Sequence, residues 1–190
     1  MAVVLTRRRF TTDEYRRMAE AGILTEDDRV ELVRGEIIEM PPIGSIHAGR
    51  VNRVSALFAA RLGSRAVISV QNPIQLSDDS EPLPDIAVLR PRPDFYERSH
   101  PTPADTLLIV EVGGSLVDYD RRVKAPLYAR ARIPELWLAD VAADCLEVHQ
   151  GPARDGYRDL RVRRRGESVI IGAFPDVSFS VDELLGGARH

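Results

Sequence analysis

Lysine is almost absent from this chain. Of the 26 basic side chains among its 190 residues, 25 are Arg and one, Lys124, is Lys. Amides are scarce too, limited to Asn52, Asn72, Gln71, Gln75 and Gln150. Arg over Lys with few amides fits a GC-rich or heat-adapted source, although the Lys/Arg signal differs between thermophiles. The lone Lys is then either chance or a place where Arg will not serve. A single cysteine, Cys145, excludes an intramolecular disulfide and fits a reducing cytoplasm. No apolar run approaches the roughly 20 residues that span a membrane. The opening MAVVLTRRRF places its charges after a very short apolar stretch, the reverse of a signal peptide. The CxxC, HExxH, Walker A and GxSxG patterns are all missing, so the matching zinc, P-loop and hydrolase readings lack their motifs. The net charge of −3 makes the molecule no polycation, and any nucleic-acid binding needs a local basic face.

What is present reads as an ordinary globular chain, 44% hydrophobic and 29% charged. A single domain over 1–190 is expected, with a core over about 45–141. Thr11-x-x-Glu14 is a capping box opening a helix through about Ala21. Residues 29–40, RVELVRGEIIEM, predict a hairpin turning at Arg34-Gly35, so that 10–42 form an N-terminal helix and hairpin. Val51, Val54, Leu57, Phe58 and Leu62 recur at helical spacing from about Ile46. Residues 66–76 predict a strand bulged at Pro73, and 84–90 predict another. Residues 106–112, TLLIVEV, are almost continuously apolar and suit a central strand covered on both faces. Ser115-x-x-Asp118 predicts a helix to about Arg132, kinked or restarted at Pro126. Residues 135–141 return to strand, and 144–171 alternate like an antiparallel meander. Ser180-x-x-Glu183 caps a short last helix. This order predicts an α/β (α+β) fold with a mixed sheet between helices.

Two acids interrupt apolar strands. Asp85 opens PDIAVLR, and Glu111 closes TLLIVE. Burying such a charge is costly unless it is paired or binds metal, and a small carboxylate cluster with water suits a hard cation. The bland alternative makes Asp85 a turn residue and Glu111 the partner of a nearby Arg. In the next helix Asp120, Lys124 and Tyr128 share one face at i, i+4 spacing, with Val123, Leu127 and Ala131 on a stripe able to pack inward. Lys offers a compact charge where Arg offers a planar fork, and its pKa shifts readily.

Pro84-Asp85-Ile-Ala-Val, Ile-Val-Glu111-Val, Tyr-Asp120-Arg-Arg-Val-Lys124-Ala-Pro-Leu-Tyr128 and Ile-Pro-Glu-Leu-Trp-Leu-Ala-Asp140 together resemble the Uma family of putative restriction endonucleases, of the PD-(D/E)XK nuclease superfamily. Glu31-Leu-Val-Arg-Gly35-Glu36-Ile-Ile-Glu39 and the following His47 fit the family's opening. The resemblance runs over roughly 10–183. It implies a restriction-endonuclease-like αβββαβ core, with Asp85 and Glu111 as acids holding Mg²⁺ or Mn²⁺. The superfamily's usual Lys stands two residues after the second acid. Here that position is Gly113, and the resemblance makes Lys124 its replacement on the following helix. Lys124 reaches back only if that helix packs across the end of the sheet. The implied reaction is metal-assisted hydrolysis of phosphodiester bonds in nucleic acid, DNA above all, with Lys124 orienting water or stabilising the transition state. His47, Asp120 and Glu36 are possible auxiliary residues, and Glu36 reads equally as an exposed hairpin acid.

Arg121 and Arg122 flank the expected site and could contact phosphate. Arg7-Arg8-Arg9 and the 154–165 run, with six Arg against two Asp, are further basic clusters that read equally as solvated faces. The acidic Asp78-Asp79-Ser80-Glu81 loop beside Pro84-Asp85 would repel phosphate unless it bound metal. The Gly113-Gly114-Ser115 turn could hold one phosphate. Three functions compete. The first is a cytoplasmic, dimeric, metal-dependent nuclease. The second is a catalytically silent nuclease-fold module that binds nucleic acid or protein. The third, acid/base cleavage of a sugar, ranks last because only 6% of residues are aromatic. The reach of Lys124 toward Asp85 and Glu111 separates the first two.

Overall fold

The computed structural model describes residues 6–25, 27–114 and 116–187. Its element order starts with α1 (Thr12–Glu20), β1 (Val30–Val33), β2 (Glu36–Glu39) and α2 (Ser45–Leu62). Next come β3 (Val67–Val70), β4 (Ile86–Leu89) and β5 (Thr106–Gly113). A broken helical segment follows, α3 (Val117–Tyr119), a π turn (Asp120–Lys124) and α4 (Ala125–Arg130). The chain closes with β6 (Glu135–Asp140), β7 (Cys145–Ala153), β8 (Gly156–Arg164), β9 (Ser168–Ile171), β10 (Phe174–Ser180) and α5 (Val181–Leu185).

Six strands form one mixed sheet in the order β3-β4-β5-β6-β7-β8. Only β5 and β6 run parallel, and the broken helical segment connects them. From α2 through β6 the succession is the expected αβββαβ. Side-chain alternation divides the core between the two faces of the sheet. Ile86, Val88, Leu108, Val110 and Trp137 pack with Val54 and Phe58 of α2. Ala87, Leu89, Ile109, Leu136 and Leu138 pack with Leu127 and Tyr128 of α4. All eight residues of β5 are buried, as its apolar run requires of a central strand.

Local signals hold where they are self-contained. Both sides of the Thr11/Glu14 and Ser180/Glu183 capping boxes are formed. Arg34 and Gly35 take the positive φ angles, 52° and 75°, that a tight two-residue hairpin turn demands. Two expectations are corrected. The strand over 66–76 stops at Val70, because Gln71 turns left-handed at φ 52° and sends Ile74 and Leu76 into the α4-side core. The stretch 144–171 is no simple meander. β7 and β8 extend the main sheet, whereas β9 leaves it to pair with β10. The capping residue Ser115 lies outside the described residues, and the helix after it begins at Val117 with Leu116 as its N-cap.

The β1–β2 hairpin is a separate two-stranded sheet. It docks on the 78–81 loop: Leu32 and Glu81 exchange backbone hydrogen bonds, and the Gly35 N–H donates to the Asp79 carbonyl at 2.7 Å. The Thr12 N–H donates to the Asp78 carbonyl at 2.8 Å, and Arg16 of α1 pairs with the buried Glu81 carboxylate at 2.6 Å. The acidic loop is thus the seat of the N-terminal elements.

Candidate active site

The broken helical segment positions the site. Pro126 has no N–H to bond the Arg122 carbonyl and its ring would crowd that carbonyl, so a regular α-helix fails here. The chain widens instead into the π turn, where the Ala125 N–H donates to the Asp120 carbonyl, and then restarts as α4. Single π turns inside helices often mark functional sites. This one faces Asp120 and Lys124 inward, only 6% and 2% exposed. The Asp120-Lys124-Tyr128 stripe therefore enters the protein together with Leu127, while Val123 and Ala131 are only half-buried. The apolar stripe packs inward as expected, and the polar stripe enters beside it because Glu111 awaits the polar groups.

Glu111 is 2% exposed and shares the α4-facing side of β5 with Ile109. Lys124 Nζ lies 3.3 Å from Glu111 Oε1, and the Tyr128 hydroxyl donates to the same oxygen at 2.6 Å. The helix does pack across the sheet end, and the lone Lys reaches the second acid. Lys124 also sits 3.3 Å from Glu31 Oε2 and donates to the Leu83 carbonyl at 3.5 Å. Glu31, fully buried in β1, accepts further hydrogen bonds from the Tyr119 hydroxyl and the Leu83 N–H. Asp85 lies against Glu111, its N–H donating to Glu111 Oε2 at 3.2 Å. The Asp85 carboxylate takes the Val112 N–H at 2.8 Å, Gln71 at 3.2 Å and His47 Nε2 at 2.9 Å. His47 stands in the first turn of α2, which brings the opposite layer to the same point.

The charges are strongly perturbed. Burial, with the nearby Asp120 and Asp85 charges, pushes the Glu111 carboxyl up to about 8 against the pull of Lys124. Burial and the Asp85 and Glu31 charges push Asp120 up to about 6, again opposed by Lys124. Burial alone would lower Lys124, but Glu111 and Glu31 outweigh it and hold the ammonium above the usual lysine range. Burial would raise Asp85, yet the His47 hydrogen bond and charge, with the Val112 N–H, hold it below the ordinary aspartate value. The Asp85 hydrogen bond raises His47 in turn, against its own burial.

These groups lie along a cleft of about 560 Å³. Asp85, Glu111, Asp120 and Lys124 line its polar side, and Met40, Pro41, Ile43 and Ile46 line its apolar side. The exit of β5 is tight. A Cβ on Gly113 would stand 2.7 Å from Val117 Cγ2 and 3.2 Å from the Ala139 carbonyl, so only glycine fits there.

The structure therefore gathers Asp85, Glu111, Lys124, His47 and Asp120. It does not bring in Glu36, which is half-buried on β2 and pairs with Arg9 at 3.5 Å. Arg121 is bound to Asp118, Asp140 and Glu147 at 2.7–2.9 Å, and Arg122 is exposed. In the 154–165 run Arg161, Arg163 and Arg165 are paired with acids, whereas Arg154, Arg158 and Arg164 are exposed. Glu31, Gln71 and Tyr119 escaped the sequence reading. Glu31 carried a usable signal, since it interrupts the apolar strand VELV just as Glu111 interrupts its own.

The donor set suits a hard divalent cation: carboxylate oxygens, one imidazole and no thiolate. Among the described residues no three His, Cys, Asp or Glu side chains converge into a metal cage. A cation at Asp85 and Glu111 would complete its shell with water and substrate oxygens, as Mg²⁺ commonly does. No helix among the described residues is long and apolar enough to cross a membrane.

Residues 12–182 match the family described as Uma2, putative restriction endonuclease. A crystal structure of a putative nuclease belonging to DUF820 from Anabaena variabilis is similar at a TM-score of 0.71 and 16% identity, over 93% of this chain and 97% of that one. At that identity the likeness speaks for the fold alone. No curated protein matches the chain. With its mixed sheet, its acids on β5 and before β4, and the match over nearly its whole length, the chain belongs to the Uma2 family of putative restriction endonucleases.

Proposed function

We propose that the cleft hydrolyses phosphodiester bonds of DNA in the cytoplasm, with Mg²⁺ or Mn²⁺ held by Asp85 and Glu111. The observation that carries this reading is the convergence of Lys124 on Glu111 at 3.3 Å, directly behind Asp85. When bound, the metal supplies charge for the phosphate and lowers the pKa of a coordinated water. The protein's own groups do the rest. His47, Gln71 and the Val112 N–H fix the Asp85 carboxylate in its ionised form. Lys124 and Tyr128 hold Glu111 from behind, and Lys124 offsets the cost of its buried charge. The water oxygen bonds to phosphorus and gives up a proton to solvent as the bond to the leaving oxygen breaks, and the leaving oxygen takes a proton from solvent. Exposed Arg122, Arg154, Arg158 and Arg164 would contribute salt-dependent affinity for the backbone. Two copies acting together would cut both strands of a duplex.

A second reading, a silent nuclease-fold module, draws on the same lysine. Its ammonium is paired with Glu31 and Glu111 and hydrogen-bonded to the Leu83 carbonyl. One assay decides between them: cleavage of duplex and single-stranded DNA with Mg²⁺ or Mn²⁺ by the wild type and by Lys124→Ala and Glu111→Ala. The nuclease reading expects metal-dependent cleavage that both variants lose. Equal residual cleavage in the variants would overturn it.

A further inference from the structure

We infer that Asp120 holds the attacking water, a role the lone lysine is not free to play; this rests on the nuclease reading above. An ammonium has three donors and no acceptor. Lys124 donates one hydrogen bond, to the Leu83 carbonyl at 3.5 Å, and is held in ion pairs with Glu111 and Glu31, each at 3.3 Å. To contact water or phosphate it would have to abandon one of two buried carboxylates, which is costly.

Asp120 is the converse case. It stands one turn before Lys124 on the inward side of the π turn and borders the cleft while only 6% exposed. The other buried acids at the site are bonded: Asp85 by His47, Gln71 and Val112, Glu111 by Tyr128 and Lys124, Glu31 by Tyr119, Lys124 and Leu83. Among the described residues the Asp120 side chain makes no hydrogen bond and no ion pair. A carboxylate this little exposed, with no hydrogen bond from the protein, costs stability even with the pull of Lys124. Such costs are typical of functional groups. Burial, with the Asp85 and Glu31 charges, raises its proton affinity against the pull of Lys124, as suits an acceptor for a water proton.

In the reaction one O–H of the water donates to the Asp120 carboxylate, which leaves an oxygen lone pair for phosphorus. As the new P–O bond forms and the leaving P–O bond breaks, that proton passes to Asp120 and from there to solvent. The leaving oxygen takes its proton from solvent, and no redox change occurs.

The test compares Asp120→Asn with wild type and Glu111→Gln, using the full chain. Three properties are read: Mn²⁺ affinity by titration calorimetry, cleavage rate, and metal-free melting temperature at pH 8. Asp120→Asn should bind Mn²⁺ as wild type does, cleave about 100-fold or more slowly, and melt higher than wild type. Glu111→Gln should lose about tenfold or more in Mn²⁺ affinity. Three results would overturn the assignment: Mn²⁺ affinity falling with activity in Asp120→Asn, which makes Asp120 a metal ligand; cleavage at the wild-type rate; or a lower melting temperature, which makes Asp120 structural. A wild type that binds Mn²⁺ but cleaves nothing sinks the nuclease reading itself, and the role of Asp120 falls with it.

Discussion

The hydroxyl of Tyr128 donates to Glu111 Oε1 at 2.6 Å, on the same oxygen that Lys124 approaches from the preceding turn. The phenol is completely buried, so this bond faces no competition from water. Tyr128→Phe keeps the ring and removes only the donor. It should cost about 1–3 kcal/mol in urea unfolding, because Glu111 is left short of one partner. Tyr128→Ala should cost about 3–5 kcal/mol, since it opens a cavity between α4 and the sheet.

Lys124 separates two buried carboxylates. Lys124→Met should destabilise the fold by about 3–5 kcal/mol at neutral pH, by leaving the buried Glu31 without a counter-charge and Glu111 without the cation that opposes its protonation. Adding Glu31→Gln should recover a substantial part of that loss, which a double-mutant cycle reads directly. Lys124→Arg keeps the charge and matches the chain's own preference, yet it should abolish cleavage. A planar guanidinium cannot place one compact charge between the two carboxylates.

The pH dependence of stability has a defined sign. Glu111 and Asp120 have folded pKa values of about 8 and about 6, above the unfolded values near 4. For an acid shifted upward, the protonated form stabilises the fold. That contribution is complete below the unfolded pKa and is lost as pH rises through the folded one. The metal-free protein should therefore lose melting temperature between about pH 4 and 8, and Asp120→Asn should remove about half of the slope between about pH 4 and 6, leaving the part due to Glu111. Below that range the sign reverses. Glu147 is lowered to about 2 by its hydrogen bonds from His149 and Arg121, and its contribution disappears on acidification. Calorimetry across this range with a chelator present checks both limbs.

Arg121 and Arg122 are neighbours with opposite duties. Arg121 ties the π turn to Asp140 at the end of β6 and to Glu147 on β7, both buried. Arg121→Ala should lower stability by about 1–3 kcal/mol and leave the salt dependence of DNA affinity unchanged. Arg122 is exposed, and Arg122→Ala should leave stability within about 0.5 kcal/mol of wild type. It should also reduce the slope of log affinity against log salt by about 1, measured by fluorescence anisotropy.

Which parts of this molecule the sequence reveals follows from the range of the interactions that decide them. The Thr11/Glu14 and Ser180/Glu183 boxes, the Arg34-Gly35 turn and the apolar run of β5 depend on residues within a few positions of one another, and all are as read. Asp85 and Glu111 stand out because a charge inside an apolar strand conflicts with its own neighbours. Glu31 meets the same criterion, but its burial is decided by the docking of the hairpin on residues 79–81, some fifty positions away. Gln71 gives no local warning of its left-handed turn, being neither Gly nor Asn. The departure of β9 from the main sheet is set by its pairing with β10, in a stretch that alternates just as well for the meander.

Gly113 bears on how such a site could have arisen. Its missing side chain is the space into which Val117 packs, at what would be 2.7 Å from a Cβ. Val117 opens the helical segment that delivers Lys124. A lysine on the strand two positions after Glu111 would therefore meet Val117 and push aside the start of the segment that carries Lys124, so the strand position and the present seat of that segment exclude one another.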